Sequence, residues 1–227
     1  MHKLLLLTLF SLPLFAGFFP TTVHTTVQSV QGKNIQLSKA FPQNGMSGVV
    51  VHTYKNSLSA ITSRLSQTAS NGSAKLSNAG VIHHDELPTI KTTVRRGDKV
   101  IGGYLYTNVL VLAPDADTYA RITRSHNKKW IHPDLFALYL SVEGEGHATK
   151  ETLLHFAKKY QIGLIYIVRK NSEVLLDPIS GQIVAKKARV GTVTKGNFPF
   201  YMRLGALESG WFGKSETGNY YQAVGAL

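Results

Sequence analysis

The chain has no cysteine in its 227 residues. That absence removes a disulfide scaffold, a thiolate metal centre and a cysteine nucleophile together. Acidic residues are scarce as well, 13 Asp and Glu against 25 Lys and Arg, and charged residues are only 17% of the chain, below the ~25% of ordinary soluble domains. Few carboxylates leave few candidates for paired acid and base work. After Phe15 no apolar stretch approaches the ~20 residues that a membrane-crossing helix requires. What remains is a chain 43% hydrophobic with a formal net charge of +12. The first property is enough for a packed core in one or two domains. The second gives a basic surface, suited to nucleic acid, anionic lipid or sugar, or acidic protein partners.

The opening residues narrow that choice. His2 and Lys3 precede a nearly continuous apolar segment from Leu4 to Phe15, and the small residues Ala16 and Gly17 follow. This is the three-part pattern of a secretory signal peptide over residues 1–16, with cleavage expected after Ala16. Export without cysteine fits a Gram-negative periplasm or outer surface, where stability must come from packing instead of cross-links. An exported chain rarely meets chromosomal DNA, so no nucleic-acid partner is expected.

Two patterns divide the rest. Residues 17–103 read as a β-rich, barrel-like domain. Ile35 and Leu37 alternate with polar neighbours, Val49-Val50-Val51 forms a short apolar run, and Gly32-Lys33, Asn71-Gly72 and Arg96-Gly97 mark turns. Residues 104–185 change period, as expected of an α/β layered domain. Val109-Leu110-Val111-Leu112 and Leu164-Ile165-Tyr166-Ile167-Val168 are core strands, with weaker strands around Val174–Leu176 and Ile183–Ala185. Asp115 and Thr149 are placed to start helices, and Gly163 is placed to end the second of those. The fold class is therefore α+β, a small antiparallel barrel followed by an α/β unit. Residues 186–197, with Lys186, Lys187, Arg189 and Lys195 and no acid, read as a basic connector. Residues 198–227 hold Phe198, Phe200, Tyr201, Trp211, Phe212, Tyr220 and Tyr221, an aromatic tail that water would penalise unless it packed on a domain.

A search for reactive groups finds no nucleophile, base and orienter together. His83-His84-Asp85-Glu86 is the densest cluster of metal-ligand types, but neighbours on an extended chain point apart and Pro88 marks a loop. Gly213-Lys214-Ser215 resembles the end of a phosphate-binding loop, but Glu208 stands where glycine is required. Gly45-Met46-Ser47-Gly48 is one residue short of a nucleophile elbow. Asp115 with Asp117 belongs to a helix start, and Glu143 with Glu145 to a glycine-flanked loop. Arg96-Gly97-Asp98 spells an adhesion tripeptide, but a turn before Val100 accounts for it. No enzyme, metal or cofactor is expected.

One group of segments resembles a known family. Trp130-Ile131-His132-Pro133-Asp134-Leu135-Phe136-Ala137 is the most specific, followed by Thr149-Lys150-Glu151 and Gly163-Leu164-Ile165-Tyr166. Gly48-Val49-Val50-Val51-His52, Val109 to Pro114, Pro199-Phe200-Tyr201 and Trp211-Phe212-Gly213 fit the same pattern. Together they resemble the N-terminal domain of bacterial plasminogen-binding proteins. The resemblance implies an exported, surface-associated protein that captures host plasminogen through lysine, notably a terminal lysine entering kringle pockets. There an ammonium meets carboxylates while its stem lies along aromatic rings. This chain ends Val224-Gly225-Ala226-Leu227, so the expected contacts are internal lysines with a carboxylate nearby. Lys214 with Glu216 and Lys150 with Glu151 are the candidates, and Lys186 and Lys187 would add long-range attraction. The rival expectation is a periplasmic structural or accessory part of an envelope assembly, such as a flagellar motor.

Overall fold

Short strands separated by glycine turns let the sheet of the first half curl until its edges meet. In the computed structural model, which describes residues 17–77, 92–143, 145, 147–189, 191, 195–204 and 218–227, six antiparallel strands form a closed barrel. They are β1 (Val23–Gln31), β2 (Asn34–Leu37), β3 (Ser47–Thr53), β4 (Ser59–Gln67), β5 (Ser73–Leu76) and β6 (Lys99–Gly102). Their order around the barrel is β1-β2-β5-β4-β3-β6, and β6 pairs with β1 to close it. The turns fall where glycine predicted them. Gly32 and Gly72 both hold positive φ, 61° and 86°, a region that costs glycine little. Val27, Ile35, Leu37, Val50, Leu65, Ala74 and Val100 fill the interior. The buried Gln67 side chain acts there as a substitute strand, accepting from Phe41 N at 2.6 Å and donating to Phe41 O at 3.2 Å. Gly48 and Gly102 face each other across β3 and β6. A Cβ at Gly48 would lie 2.7 Å from the Ile101 carbonyl oxygen, and one at Gly102 would meet the Phe41 ring.

The second half runs β7 (Asn108–Leu112), α1 (Ala116–Ser125), β8 (Lys129–Ile131), α2 (Pro133–Glu143), α3 (Lys150–Tyr160), β9 (Leu164–Val168), β10 (Ser172–Asp177), β11 (Gln182–Ala188) and α4 (Tyr220–Gly225). The five strands form one mixed sheet in the order β11-β10-β9-β7-β8, with β7 parallel to both its neighbours. Strand alternation sends Leu110, Leu112, Ile165 and Ile167 to one face, where Phe136, Leu140, Leu153 and Phe156 of α2 and α3 cover them. Val109, Val111, Leu164 and Tyr166 point the other way, into one apolar cluster with the barrel interior. The α+β architecture expected from the sequence is thus present, an antiparallel barrel beside a helix-covered mixed sheet.

The helix starts follow the expected caps. Asp115 accepts from Thr118 N at 2.7 Å, and Thr149 and Thr152 cap each other reciprocally. The end of α3 differs from expectation. Gln161, not Gly163, takes the left-handed conformation, with φ 53°. Gly163 is required for a separate reason: a Cβ there would collide with the Leu105 carbonyl, so glycine lets the chain enter β9 at close range. The sheet also extends further than the pattern implied, since β11 reaches Ala188 and includes Lys186 and Lys187. In the tail, Phe200, Tyr220, Val224 and Leu227 are buried against the helix-covered core. The Tyr220 hydroxyl lies 2.8 Å from the carbonyls of both Leu112 and Val168, which share its single proton. Trp211 and Phe212 lie outside the described residues.

Candidate lysine-presenting surface

β10 carries the chemistry that positions the basic surface. Period two puts Glu173, Leu175 and Asp177 on one face of this fully buried strand. Glu173, 1% exposed, is held by three donors. Arg121 Nη2 reaches Oε1 at 3.0 Å, Lys187 Nζ reaches Oε2 at 3.1 Å, and the Tyr166 hydroxyl donates to Oε2. Burial alone would raise this carboxyl, but the hydrogen bonds from Tyr166, Arg121 and Lys187 outweigh it and hold Glu173 below its ordinary value. Burial, and then the hydrogen bond to Glu173, drive the Tyr166 phenol upward. His126 is pushed down by burial and by the nearby Lys187 cation.

Lys187 also lies over two aromatic rings, 4.4 Å from the Phe18 centroid and 5.7 Å from that of Tyr166. A neighbouring cation does the same, with Lys128 Nζ 4.6 Å from the Phe19 centroid. An ammonium between a carboxylate and ring faces is the arrangement a lysine-binding pocket offers to a guest. Here the protein supplies both halves, so Lys187 is engaged within its own chain. Lys186, one residue earlier on the edge strand, is exposed.

Lys150 and Glu151 are the first two residues of α3, and both are exposed. Adjacent helical positions diverge by about 100°, so the two charges leave the helix in different directions. Glu151 favours the positive end of the helix dipole; Lys150 does not. Lys214 and Glu216 lie outside the described residues, as does the cluster His83 to Glu86. The structure therefore brings Lys186 and Lys187 onto one strand, sets Lys150 and Glu151 on a separate helix, and engages Lys187. Arg121, Glu173 and Phe18 were not singled out in the sequence, and Tyr166 only as part of a core strand and a family segment. The available signal was two acids four apart on an apolar strand, Glu173 and Asp177, which strand periodicity directs to the same buried face.

Three other acids make structural contacts, while Asp117, Glu143 and Glu145 are exposed. Asp98 accepts from Arg95 N at 2.8 Å and pairs with His52 Nδ1 at 2.7 Å, so the carboxylate of the Arg96-Gly97-Asp98 turn faces inward and is 8% exposed. Asp134 receives Arg203 N and Nε at 2.7 and 2.9 Å. Asp115 is a helix cap. Among the described residues, no group of three or more His, Asp or Glu is placed to hold a metal ion, and no helix is long and apolar enough to cross a membrane.

A family model described as the N-terminal region of plasminogen-binding protein pgbA matches residues 22–225. The chain belongs to this family. Curated relatives are two proteins named plasminogen-binding protein PgbA from Helicobacter pylori. That of strain ATCC 700392 / 26695 is 30% identical over 148 residues, and that of strain J99 / ATCC 700824 is 29% identical over 148 residues. In each case the match covers 62% of this chain and 32% of the relative, so it spans about a third of the relatives' length. No solved structure matches. The family is named for binding, not for catalysis. Its region extends from β1 through α4, so the barrel, the sheet and all the described tail except Ala226 and Leu227 fall within it.

Proposed function

We propose that this protein is exported to the cell envelope or surface and captures host plasminogen without enzymatic action, through exposed lysines that enter kringle pockets. The observation that carries the reading is the distribution of charge. In a family named for plasminogen binding, Asp98, Asp115, Asp134, Glu173 and Asp177 are all engaged in internal contacts, while Lys150 and Lys186 stand exposed. Asp117, Glu143, Glu145 and Glu151 are exposed as well, but exposed lysines and arginines outnumber them among the described residues, so the outward surface is basic. That field attracts an acidic partner at a distance, and individual ammonium groups make the contact. Lys214 beside Glu216 remains a candidate of the same type.

Immobilised protein is expected to retain plasminogen, and a free lysine analogue is expected to elute it. Replacing Lys186 and Lys150 by Gln should weaken retention, most clearly at low salt. Retention unchanged by saturating analogue would overturn the kringle mechanism. Protease treatment of intact cells tests placement: removal of the protein supports a surface receptor. Its survival, with lost motility on deletion and unchanged plasminogen capture, would support a periplasmic part of a flagellar assembly instead.

A further inference from the structure

A short covering segment precedes the barrel. Residues 17–21 lie before β1, and among the described residues they make no backbone–backbone hydrogen bond. Two rings hold them in place. Phe18 meets Tyr166 edge-on with centroids 5.4 Å apart, and Phe19 meets His126 at 4.9 Å and Trp130 at 6.3 Å in the same manner. Both rings are half-buried, Tyr166 is fully buried, and Gly17 and Thr21 at the two ends of the segment are exposed. A segment fixed by side chains alone, with no ladder behind it, belongs to the part of a fold that opens first.

Each ring also covers a lysine. Lys187 Nζ lies 4.4 Å from the Phe18 centroid, and Lys128 Nζ lies 4.6 Å from that of Phe19. The chain carries these cations as two adjacent pairs, Lys128 with Lys129 and Lys186 with Lys187. In each pair the lysine under a ring is partly buried and its neighbour is exposed. Lys128 also donates to the Tyr106 carbonyl at 3.3 Å, and Lys187 pairs with Glu173 at 3.1 Å. The second of these holds can be given up. Arg121 and the Tyr166 hydroxyl still meet Glu173 when Lys187 leaves it, so an outward turn of Lys187 does not strand a buried carboxylate.

We propose that residues 17–21 form a releasable strap. Closed, Phe18 and Phe19 hold Lys187 and Lys128 against the molecule; open, both ammonium groups turn outward beside Lys186 and Lys129 and add to the capturing surface. That last step rests on the lysine-capture reading above. The strap competes for the same chemistry as the partner, because it offers each ammonium the ring face that a kringle pocket would offer. A partner therefore takes these two lysines only from molecules whose strap is open, and the closed fraction lowers the apparent affinity in proportion.

The test uses the full chain and two readouts. Broadening of the lysine ε-methylene resonances by a neutral, soluble gadolinium chelate reports exposure, and retention on immobilised protein reports plasminogen capture. In the parent, Lys128 and Lys187 should broaden less than Lys129 and Lys186. Phe18→Ala with Phe19→Ala should close that gap and raise retention about threefold. Adding Lys128→Gln and Lys187→Gln should return retention to the parent level. Phe18→Leu with Phe19→Leu keeps apolar bulk and removes the ring faces, so it reads the strap even if the alanine pair folds poorly; it should close part of the gap. Equal broadening within each lysine pair of the parent, or a gap unchanged by the ring substitutions, would overturn the strap. A closed gap with unchanged retention would overturn its control of capture. If parent and variants alike retain no plasminogen while the gap closes, the capture reading fails and the strap's hold on the two lysines stands.

Discussion

The two ends of β10 bury a carboxylate each and solve the problem in opposite ways. At one end Glu173 is met by two cations and a phenol. At the other, Asp177 is fully buried and is met by neutral donors only. Ser47 N and the Tyr106 hydroxyl reach Oδ2 at 2.7 Å, while Ile179 N and Ser180 N reach Oδ1 at 2.9 and 3.1 Å. The consequence is a difference in sign. The Tyr166 hydroxyl and the two cations together hold the Glu173 carboxyl below its ordinary value, whereas burial raises Asp177 despite its four donors. The Glu173 end faces outward, since Arg121 and Lys187 keep 45% and 36% of their side chains exposed. The Asp177 end joins the barrel to the sheet. One strand thus carries a joint at one end and the anchor of a basic surface at the other.

Four substitutions separate these roles. Asp177→Asn should be the most damaging, at about 3 kcal/mol, because an amide nitrogen would confront donors that burial keeps from water. A denaturant melt should show a lower midpoint, and a loss below 1 kcal/mol would mean the joint does not depend on charge. Glu173→Gln should cost less, about 1–2 kcal/mol, since its cationic partners can rehydrate. This deficit should depend on pH. A depressed folded value means Glu173 contributes stability above its unfolded value near 4.5, and the contribution is lost as pH falls through the folded value. The gap between variant and parent should therefore close in acid, and a gap constant from neutrality to about pH 3 would contradict the network. Protonating Asp177 acts the other way: its raised value favours the folded state at low pH. Lys187→Met, which keeps the stem over Phe18 and removes the charge, should cost about 0.5–1 kcal/mol. Lys186→Gln, on the neighbouring exposed position, should change stability by less than about 0.5 kcal/mol while still reducing plasminogen retention.

How far the sequence reveals this arrangement depends on the range of the interactions. Local signals were readable: Gly32, Asn71-Gly72 and Arg96-Gly97 turn the chain where expected, and Asp115 and Thr149 begin helices. Closure of the barrel was visible only as a class, because the pairing of β1 with β6 joins distant segments. At the end of α3, glycine is the usual left-handed residue, but Gln161 takes that conformation, while Gly163 answers a separate need, the close approach of Leu105. The lysines were legible as a residue type but not as a state. Lys186 and Lys187 look alike in a basic run, and what distinguishes them is Phe18 and Glu173, brought in from elsewhere in the chain. The carboxylates were hidden for the same reason, since a strand pattern predicts a shared face but not what waits there.

Closure of the barrel has an effect on how copies of the molecule meet. A ring of strands has no unpaired margin, so among the described residues the bare backbone hydrogen-bonding rows belong to β8 and β11, at the two sides of the sheet. The first is three residues long, too short to template growth. The second carries the exposed Lys186, and a lysine on an edge strand discourages edge-to-edge stacking of identical copies. Positive charge on that margin thereby opposes sheet growth between copies.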